Sequence, residues 1–135
     1  MSIKCLDHVN IRTARLAEMT AFYTEVLGLR PGARPPFAFG GAWLYCDAQA
    51  AVHLVEVPED PRAGEARIEH FAFRAEGLGD FLALLRGMDV AYRIAVVPDL
   101  GLRQVNVRDP DGNHIEVAFA AEEEADLSDY PGAGE

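Results

Sequence analysis

Apolar and polar residues alternate along most of the chain, and the period of the alternation changes from one segment to the next. Residues 6–12 alternate with a period of two, which is typical of a half-buried strand. From Leu16 to Leu27 the apolar residues recur at helical spacing, and Gly28 is a stop signal for a helix. Thr13 is the predicted N-cap of this helix. The chain is therefore predicted to begin with a strand and a helix.

The segments that follow predict a loop and two strands. Residues 30–41 contain too much proline and glycine for the interior of an element, and this loop carries two phenylalanines that we expect to be exposed. Strands are predicted over residues 42–46 and 51–57, joined by a short turn. Residues 58–66 are polar and are predicted to form a linker.

The pattern then begins again. A strand is predicted over residues 68–74, then a helix, a strand over residues 90–97 and a hairpin over residues 105–119. The hairpin turn at residues 109–112 has the sequence Asp-Pro-Asp-Gly, in which proline presets φ and glycine accepts positive φ. The apolar stripe of the second helix consists of Leu78, Phe81, Leu84, Leu85 and Met88.

This recurrence is an internal repeat. When residues 7–12 are aligned with residues 69–74, the apolar stripe of the first helix falls on that of the second. With one more residue of offset, His53 aligns with Glu116. Each half is therefore a strand, a helix and about three strands, and each helix needs one face of a sheet to cover its stripe.

The repeat predicts an α+β fold of two tandem βαβββ modules. We expect them to form a curved, incomplete mixed β-barrel with the helices outside and a cleft inside. The modules span about residues 3–57 and 67–119, and together they are predicted to be one domain of residues 1–119. Residues 120–135 are predicted to be an acidic, flexible tail.

Composition narrows the classes of partner. The formal net charge of −10 argues against nucleic acid and against anionic membranes as partners. No apolar run reaches the length of a membrane span, and the N-terminal residues show no signal-peptide pattern. Cys5 and Cys46 give no disulfide framework, which is typical of a cytoplasmic protein. The remaining expectation is a cytoplasmic protein that binds a small-molecule substrate.

Glu116 is a carboxylate between apolar neighbours, and such a group needs a cation or a donor. Strand alternation places Glu116 on the cleft face together with His8, His53 and His70. Three imidazoles and one carboxylate suit a first-row divalent ion. The sequence therefore predicts one divalent metal ion, with Zn, Ni, Co, Mn and Fe all left open. His114 has the same parity but no counterpart in the first half, so we interpret it as a rim or surface residue.

The same alternation predicts which other side chains bind the substrate. It directs six polar or aromatic residues inward, namely Asn10, Arg12, Trp43, Tyr45, Gln104 and Asn106. Phe37 belongs to residues 35–39, which are predicted to form either a hydrophobic lid or an ordinary packing or dimer contact. Arg103 is predicted to meet an anionic group.

In this order and spacing, the motifs resemble the vicinal oxygen chelate superfamily, which includes glyoxalase I, methylmalonyl-CoA epimerase, extradiol dioxygenases and the bleomycin- and fosfomycin-resistance proteins. The resemblance is carried by Leu-Asp-His-Val-Asn-Ile at 6–11, Phe-Tyr-Thr-Glu-Val-Leu-Gly-Leu at 22–29, Glu-His-Phe-Ala-Phe at 69–73 and Asp-Pro-Asp-Gly-Asn-His-Ile-Glu at 109–116. It covers most of residues 3–119. It implies paired modules around a metal, with His8, His70 and Glu116 as ligands, and it suggests a homodimer whose cleft is formed within one chain or across two.

For the reaction, the resemblance implies a glyoxalase-like lyase or isomerase that removes a proton next to a carbonyl while a metal stabilises the enediolate through two adjacent oxygens. His53 stands where glyoxalase I usually has glutamate, so Glu116 is the expected base and His53 a ligand or second base. One alternative is an extradiol Fe(II) ring-cleaving dioxygenase, although Asn106 stands where those enzymes have tyrosine. The other is a metal-free ligand-binding protein similar to the bleomycin-resistance proteins.

Overall fold

Each half of the chain folds as a strand, a helix and three further strands, which confirms the predicted modules. The structure is a computed structural model that describes residues 1–2, 4–61, 67–97 and 99–125. It contains two compact units, which divide between Glu65 and Ala66. Residues 62–66 of the predicted linker (58–66) and residues 126–135 of the predicted tail (120–135) lie outside the described residues.

The first unit is a four-stranded mixed sheet with one helical segment. Its elements are β1 Val9–Thr13, α1 Leu16–Ala21 continuing as a π-helical segment Phe22–Val26, β2 Arg30–Gly32, β3 Gly41–Cys46 and β4 Gln49–Glu56. The strand order is β1-β4-β3-β2; β1 and β4 are parallel, and the other pairs are antiparallel. Met19, Tyr23 and Leu44 are fully buried in this unit.

The second unit repeats that topology. Its elements are β5 His70–Arg74, α2 Leu78–Gly87, β6 Tyr92–Val96, β7 Arg103–Arg108 and β8 His114–Phe119. The order β5-β8-β7-β6 again joins one parallel pair to antiparallel pairs. On β8 the buried residues Ile115, Val117 and Phe119 alternate with the half-buried ones, as a strand with one packed face requires.

The strand register shows the repeat at the level of single residues, because equivalent residues pair in the two units. Asn10 lies opposite His53 between β1 and β4, and Ala72 lies opposite Glu116 between β5 and β8. The sequence repeat predicts this same correspondence, because it aligns Asn10 with Ala72 and His53 with Glu116. The α+β class with two mixed-sheet modules is therefore confirmed.

Several local predictions need correction. The N-cap of α1 is Arg15, not Thr13, whose hydroxyl accepts a hydrogen bond from the Arg15 amide (2.9 Å) before the helix begins. The residues of β2 are predicted as loop, yet they pair with β3 at a sheet edge, where the missing amide hydrogen of Pro31 is tolerated. The helical segment ends at Val26, and Gly28, the predicted stop signal, follows the C-cap Leu27 with a φ of 74°.

The predicted stripe of α2 is wrong at two of its five positions. Leu84 and Met88 are 40% and 41% exposed, whereas Leu82 is buried. The buried face follows Leu78, Leu82 and Leu85, at spacings of four and three residues, which keeps all three on one side of the helix.

One residue of the acidic C-terminal segment, Glu123, makes hydrogen bonds to the second helix. The Glu123 carboxylate accepts hydrogen bonds from the backbone amides of Gly77 (2.8 Å) and Leu78 (2.9 Å) at the start of α2. A carboxylate there satisfies otherwise unpaired amide groups and opposes the positive end of the helix dipole. Glu123 thus contacts the start of α2, and the flexible tail of residues 120–135 stays a prediction.

Candidate metal centre

In the second unit, two predicted metal ligands face each other on neighbouring parallel strands. His70 begins β5, and Glu116 lies in the middle of β8 between two buried residues. The Nε2 atom of His70 is 3.8 Å from Oε1 of Glu116, whose side chain is only 14% exposed. Within the described residues, the Glu116 carboxylate accepts no hydrogen bond, and His70 is its ion-pair partner. Two ligand atoms that each bind one ion at about 2 Å have a separation of this order, so the pair fits a divalent metal.

A second carboxylate contacts two histidines at the same end of this sheet. Glu69 hydrogen-bonds Nδ1 of His70 through one oxygen and Nδ1 of His114 through the other (2.8 Å). Ligand atoms of these three residues all lie within 4.8 Å of one another, so the group is able to hold a metal ion. His70 and His114 are also directly opposite each other in the strand register.

The interpretation of His114 as a rim or surface residue is wrong. Its side chain is 11% exposed, and its Nε2 contacts Oδ1 of Asn106 at 2.7 Å. The amide of Asn106 is oriented by a second hydrogen bond, from Nδ2 to the Gln104 carbonyl (3.2 Å).

Glu69 is not among the site residues that the sequence predicts. The adjacency of Glu69 and His70 in the sequence was the available signal for it.

The charges of this cluster shift two pKa values in opposite directions. Hydrogen bonds from His70 and then His114 lower the pKa of Glu69 from 4.5 to about 2. The hydrogen bond to Glu69 raises the pKa of His70 above 6.5, against a smaller effect of desolvation. Both shifts express the same attraction between a carboxylate and an imidazolium.

In the first unit, the other two predicted ligands are in ring contact. His8 directly precedes β1, and its ring stacks on that of His53 with centroids 3.9 Å apart. The Nδ1 atom of His8 is 2.7 Å from Oδ2 of Asp7. His53 is buried on β4, where its Nε2 donates a hydrogen bond to the Ala50 carbonyl (3.0 Å). Burial, and then the charge of His8, lower the pKa of His53, so near neutral pH its ring is neutral and able to accept a proton or a metal.

Aromatic side chains continue the stack from His53. Trp43 lies against His53 with centroids 4.0 Å apart, and the two residues are opposite each other in the register of β3 and β4. Phe37 lies 6.5 Å from Trp43, and Phe39 stacks on Phe37 at 4.9 Å. The two phenylalanines are 44% and 47% exposed, which confirms the expectation of exposed rings. The first unit thus carries a row of rings that ends at solvent.

The other residues predicted to bind substrate are spread over three strands. Asn10 and Arg12 are exposed on β1. The Tyr45 hydroxyl donates to the Ala33 carbonyl. On β7, the alternation places Gln104 and Asn106 on one face and Arg103 on the other, with the buried valines. Arg103 donates to the Gly101 carbonyl.

The predicted ligands thus occur as one pair in each unit. His8 lies with His53 in the first unit, and His70 lies with Glu116 in the second. Each βαβββ unit thus carries a histidine at or directly before its first strand and a metal-competent residue on the strand beside it.

Comparison with known proteins identifies the family. The model of the Glyoxalase/Bleomycin resistance protein/Dioxygenase superfamily matches residues 5–117, and the chain belongs to this superfamily. Its members bind small-molecule substrates and typically a metal. A comparison with curated proteins gives no match.

Solved structures agree with this assignment. A protein described as a glyoxalase family member from Bacillus anthracis has 25% identity and a TM-score of 0.74, covering 89% of this chain and 98% of that one. An integron cassette protein from the mobile metagenome of V. cholerae has 26% identity and a TM-score of 0.67, covering 88% and 97%. Lactoylglutathione lyase from Agrobacterium tumefaciens has 22% identity and a TM-score of 0.66, covering 87% and 95%; this likeness shows the fold.

None of the helices described here has the length and apolar character needed to cross a bilayer.

Proposed function

We propose that the protein is a glyoxalase-like, metal-dependent lyase or isomerase that moves a proton on a small substrate with two adjacent oxygens. The observation that carries the proposal is the pair His70 and Glu116, whose facing atoms are 3.8 Å apart with no other donor among the described residues on the carboxylate. Superfamily membership supports a small-molecule substrate and a metal. The name of the Agrobacterium tumefaciens neighbour, a lyase, is consistent with this class of reaction.

The proposed ligands are His70 and Glu116 in the second unit, with His8 and His53 as the repeat in the sequence predicts. When bound, a divalent ion supplies Lewis acidity for an enediolate. Glu116 is the proposed base, because its carboxylate is largely buried and faces the His70 imidazole. His53 is the proposed second base or ligand, since its lowered pKa keeps the ring neutral near pH 7.

Substrate contacts are proposed for Phe37 and for residues on β1, β3 and β7; β3 pairs with β4 and β7 pairs with β8, the strands of His53 and Glu116. The row of rings containing Phe37 and Trp43 suits an apolar part of the substrate. The remaining proposed contacts are Asn10, Arg12, Tyr45, Arg103, Gln104 and Asn106. Of these, Tyr45, Arg103 and Asn106 each donate to a backbone carbonyl, so substrate would compete with an existing hydrogen bond.

We also propose one functional domain of residues 1–119 that works in the cytoplasm as a homodimer. Cys5 and Cys46 are free thiols, which is compatible with a reducing compartment. The homodimer is carried over from the superfamily resemblance. Gel filtration with light scattering of the full chain tests the dimer.

Metal content tests the proposal first. The purified parent is expected to hold one divalent ion per chain, measured by elemental analysis after dialysis. His70→Ala and Glu116→Gln should lose it, whereas Glu122→Gln, at an exposed acid without a hydrogen bond or ion pair in the described part of the chain, should not. Equal metal content in all four proteins would refute the site. A metal-free parent would favour the ligand-binding alternative.

Proton transfer is tested separately. The loaded protein is incubated in D₂O with a panel of α-hydroxyketones and thiohemiacetals, and loss of the proton signal next to the carbonyl is followed by NMR. Exchange should be lost in Glu116→Gln. A fully loaded parent that exchanges no proton in any member of the panel would refute proton transfer on these substrates.

The Fe(II) ring-cleaving dioxygenase is the second candidate. The buried His53, neutral near pH 7, is the observation that favours it, since a neutral histidine can take a proton from a bound catechol. Oxygen uptake by the iron-loaded protein with a panel of catechols decides between the two. Uptake with ring cleavage would replace the lyase or isomerase proposal.

A further inference from the structure

An acidic residue directly precedes the proposed ligand histidine at the first strand of each module. Oδ2 of Asp7 is 2.7 Å from Nδ1 of His8, and Oε2 of Glu69 is hydrogen-bonded to Nδ1 of His70. The two carboxylates occupy equivalent places in the repeat, which aligns residues 7–12 with residues 69–74. The same contact is therefore made in each module, by aspartate in one and glutamate in the other.

We infer that Asp7 and Glu69 are positioning residues that hold His8 and His70 as the Nδ1–H tautomer and leave Nε2 free for a metal ion. This inference rests on the proposed function, because it assigns the two residues a role toward the proposed ion.

The tautomer follows from the chemistry of the two groups. An ionised carboxylate only accepts hydrogen bonds, so the nitrogen that it contacts must carry the hydrogen. A neutral imidazole has one N–H, so its other nitrogen keeps the lone pair. In His70 that other nitrogen is Nε2, the atom that faces Glu116 at 3.8 Å. Carboxylates that accept from the remote nitrogen of a metal-binding histidine fix the ring orientation and strengthen the ligand.

Each carboxylate lies in a supported segment, but the support differs between the modules. In the first unit, the Gln49 side chain donates to the carbonyls of Leu6 (3.3 Å) and Asp7, which ties this segment to the start of β4. In the second unit, the other oxygen of Glu69 contacts Nδ1 of His114, whose Nε2 contacts Oδ1 of Asn106; both contacts are hydrogen bonds at once when the His114 ring is protonated. The hydrogen bonds around the two carboxylates differ, but the contact of each carboxylate with its neighbouring histidine is the same in both modules.

The three-residue cluster offers a competing role for Glu69. If Glu69, His70 and His114 themselves held the ion, Glu69 would be a ligand and not a positioning residue. The two roles differ in what a substitution removes. Loss of a ligand removes the bound ion, whereas loss of a positioning residue weakens binding by about 10- to 100-fold and leaves the stoichiometry at saturation unchanged.

The variants for the test are Asp7→Ala and Glu69→Ala, with Asp7→Glu and Glu69→Asp as conservative rescues. The side chains of Asp7 and Glu69 are 84% and 69% exposed, so these substitutions leave the packed core intact. Glu18→Ala, at an exposed acid on α1 that contacts no histidine in the described residues, is the matched control.

The first measurement is the histidine tautomer in the full-length, metal-free protein, from long-range ¹H–¹⁵N NMR correlations above the titration range of the rings. His8 and His70 should be Nδ1–H in the parent and in the control. Asp7→Ala should shift His8 toward the Nε2–H form, and Glu69→Ala should do the same for His70. A parent with Nε2–H at either ring, or alanine variants with unchanged tautomers, would overturn the inference.

The second measurement is Zn²⁺ affinity by competition with a chromophoric chelator. Each alanine variant should bind about 10- to 100-fold more weakly at unchanged stoichiometry, and the conservative variants should recover most of the loss. Unchanged affinity, or loss of the ion from Glu69→Ala at saturating zinc, would overturn the positioning role while the parent's binding still supports the proposed function. A parent that binds no zinc, nickel, cobalt, manganese or iron would overturn the proposed function itself.

Discussion

His114 and Asn106 form a hydrogen bond of 2.7 Å between Nε2 and Oδ1 in the second unit. The His114 side chain is only 11% exposed, so water cannot readily replace a lost acceptor. Asn106→Leu should therefore lower the free energy of unfolding by about 1 kcal/mol, measured by urea denaturation. Asn106→Asp keeps an acceptor and should retain most of the stability. Equal losses in the two variants would show that packing at Asn106, and not the hydrogen bond, sets the effect.

The fluorescence of Trp43 is expected to detect metal binding in the first unit. It is the only tryptophan of the chain, and its ring lies 4.0 Å from that of His53 at an interplanar angle of 12°. A cation bound to His53 places positive charge beside the indole, which interacts strongly with cations. Titration with Zn²⁺ should change the fluorescence of the parent and of Glu122→Gln, and it should leave that of His53→Ala unchanged. A full response in His53→Ala would exclude His53 as the ligand that causes it.

The repeat in the sequence predicts which positions of the two modules are equivalent, although not which strands pair. Alternation assigns faces to single strands, and the alignment of the two halves relates the pair Asn10 and His53 to the pair Ala72 and Glu116. The sequence does not predict strand β2, because this segment is short and contains proline and glycine. Its pairing with β3 is what defines it as a strand.

The contacts of Glu69 and His114 were not predictable in the same way. A repeat identifies candidate site residues only where both halves have a functional group. In the first unit Ala51 occupies the position equivalent to His114, so the repeat does not select His114. In the predicted strand of residues 68–74, alternation places Glu69 on the face opposite to His70, whereas the observed β5 begins only at His70. The contact between Glu69 and His114 depends on the parallel pairing of β5 with β8, which the pattern of either strand alone does not give.

Asp109 organises the turn between β7 and β8. It is buried, and its carboxylate accepts hydrogen bonds from the amides of Asp111 (3.0 Å) and Asn113 (2.8 Å) and from the Asn113 side chain (2.8 Å). Asp109→Ala leaves these donors without their acceptor and should cost about 3 kcal/mol of unfolding free energy, measured by urea denaturation. Asp109→Asn keeps an acceptor for the backbone amides and should cost less. If both variants lose the same amount, the charge of Asp109 matters more than its hydrogen bonds.

Glu123 should stabilise α2 although it belongs to the acidic segment. Its carboxylate accepts from the amides of Gly77 and Leu78, so Glu123→Ala should lower the free energy of unfolding by about 1 kcal/mol. Glu124→Ala, at the exposed neighbouring acid, is the control and should change stability little. Thermal unfolding of both variants checks this, and equal midpoints for Glu123→Ala and the parent would contradict the helix contact.

The pairing of Glu69 with His70 should make stability depend on pH within a defined window. The pKa of His70 is raised above 6.5, so its contribution is complete below 6.5 and is lost as the pH rises through the folded-state value. The pKa of Glu69 is lowered from 4.5 to about 2, so its contribution is complete above 4.5 and is lost as the pH falls toward 2. Both groups contribute fully between pH 4.5 and 6.5.

The metal-free parent and Glu69→Gln should therefore differ most in melting temperature inside that window, and the difference should narrow on both sides. Because the Glu69 side chain is exposed, the difference is expected to be small and to decrease with added salt. Glu18→Gln, without a histidine partner in the described residues, should show a difference that does not vary over the same range. A gap between parent and Glu69→Gln that stays constant from about pH 3 to about pH 9 would mean that no ion pair forms, since only an ion pair requires Glu69 ionised and His70 protonated at once.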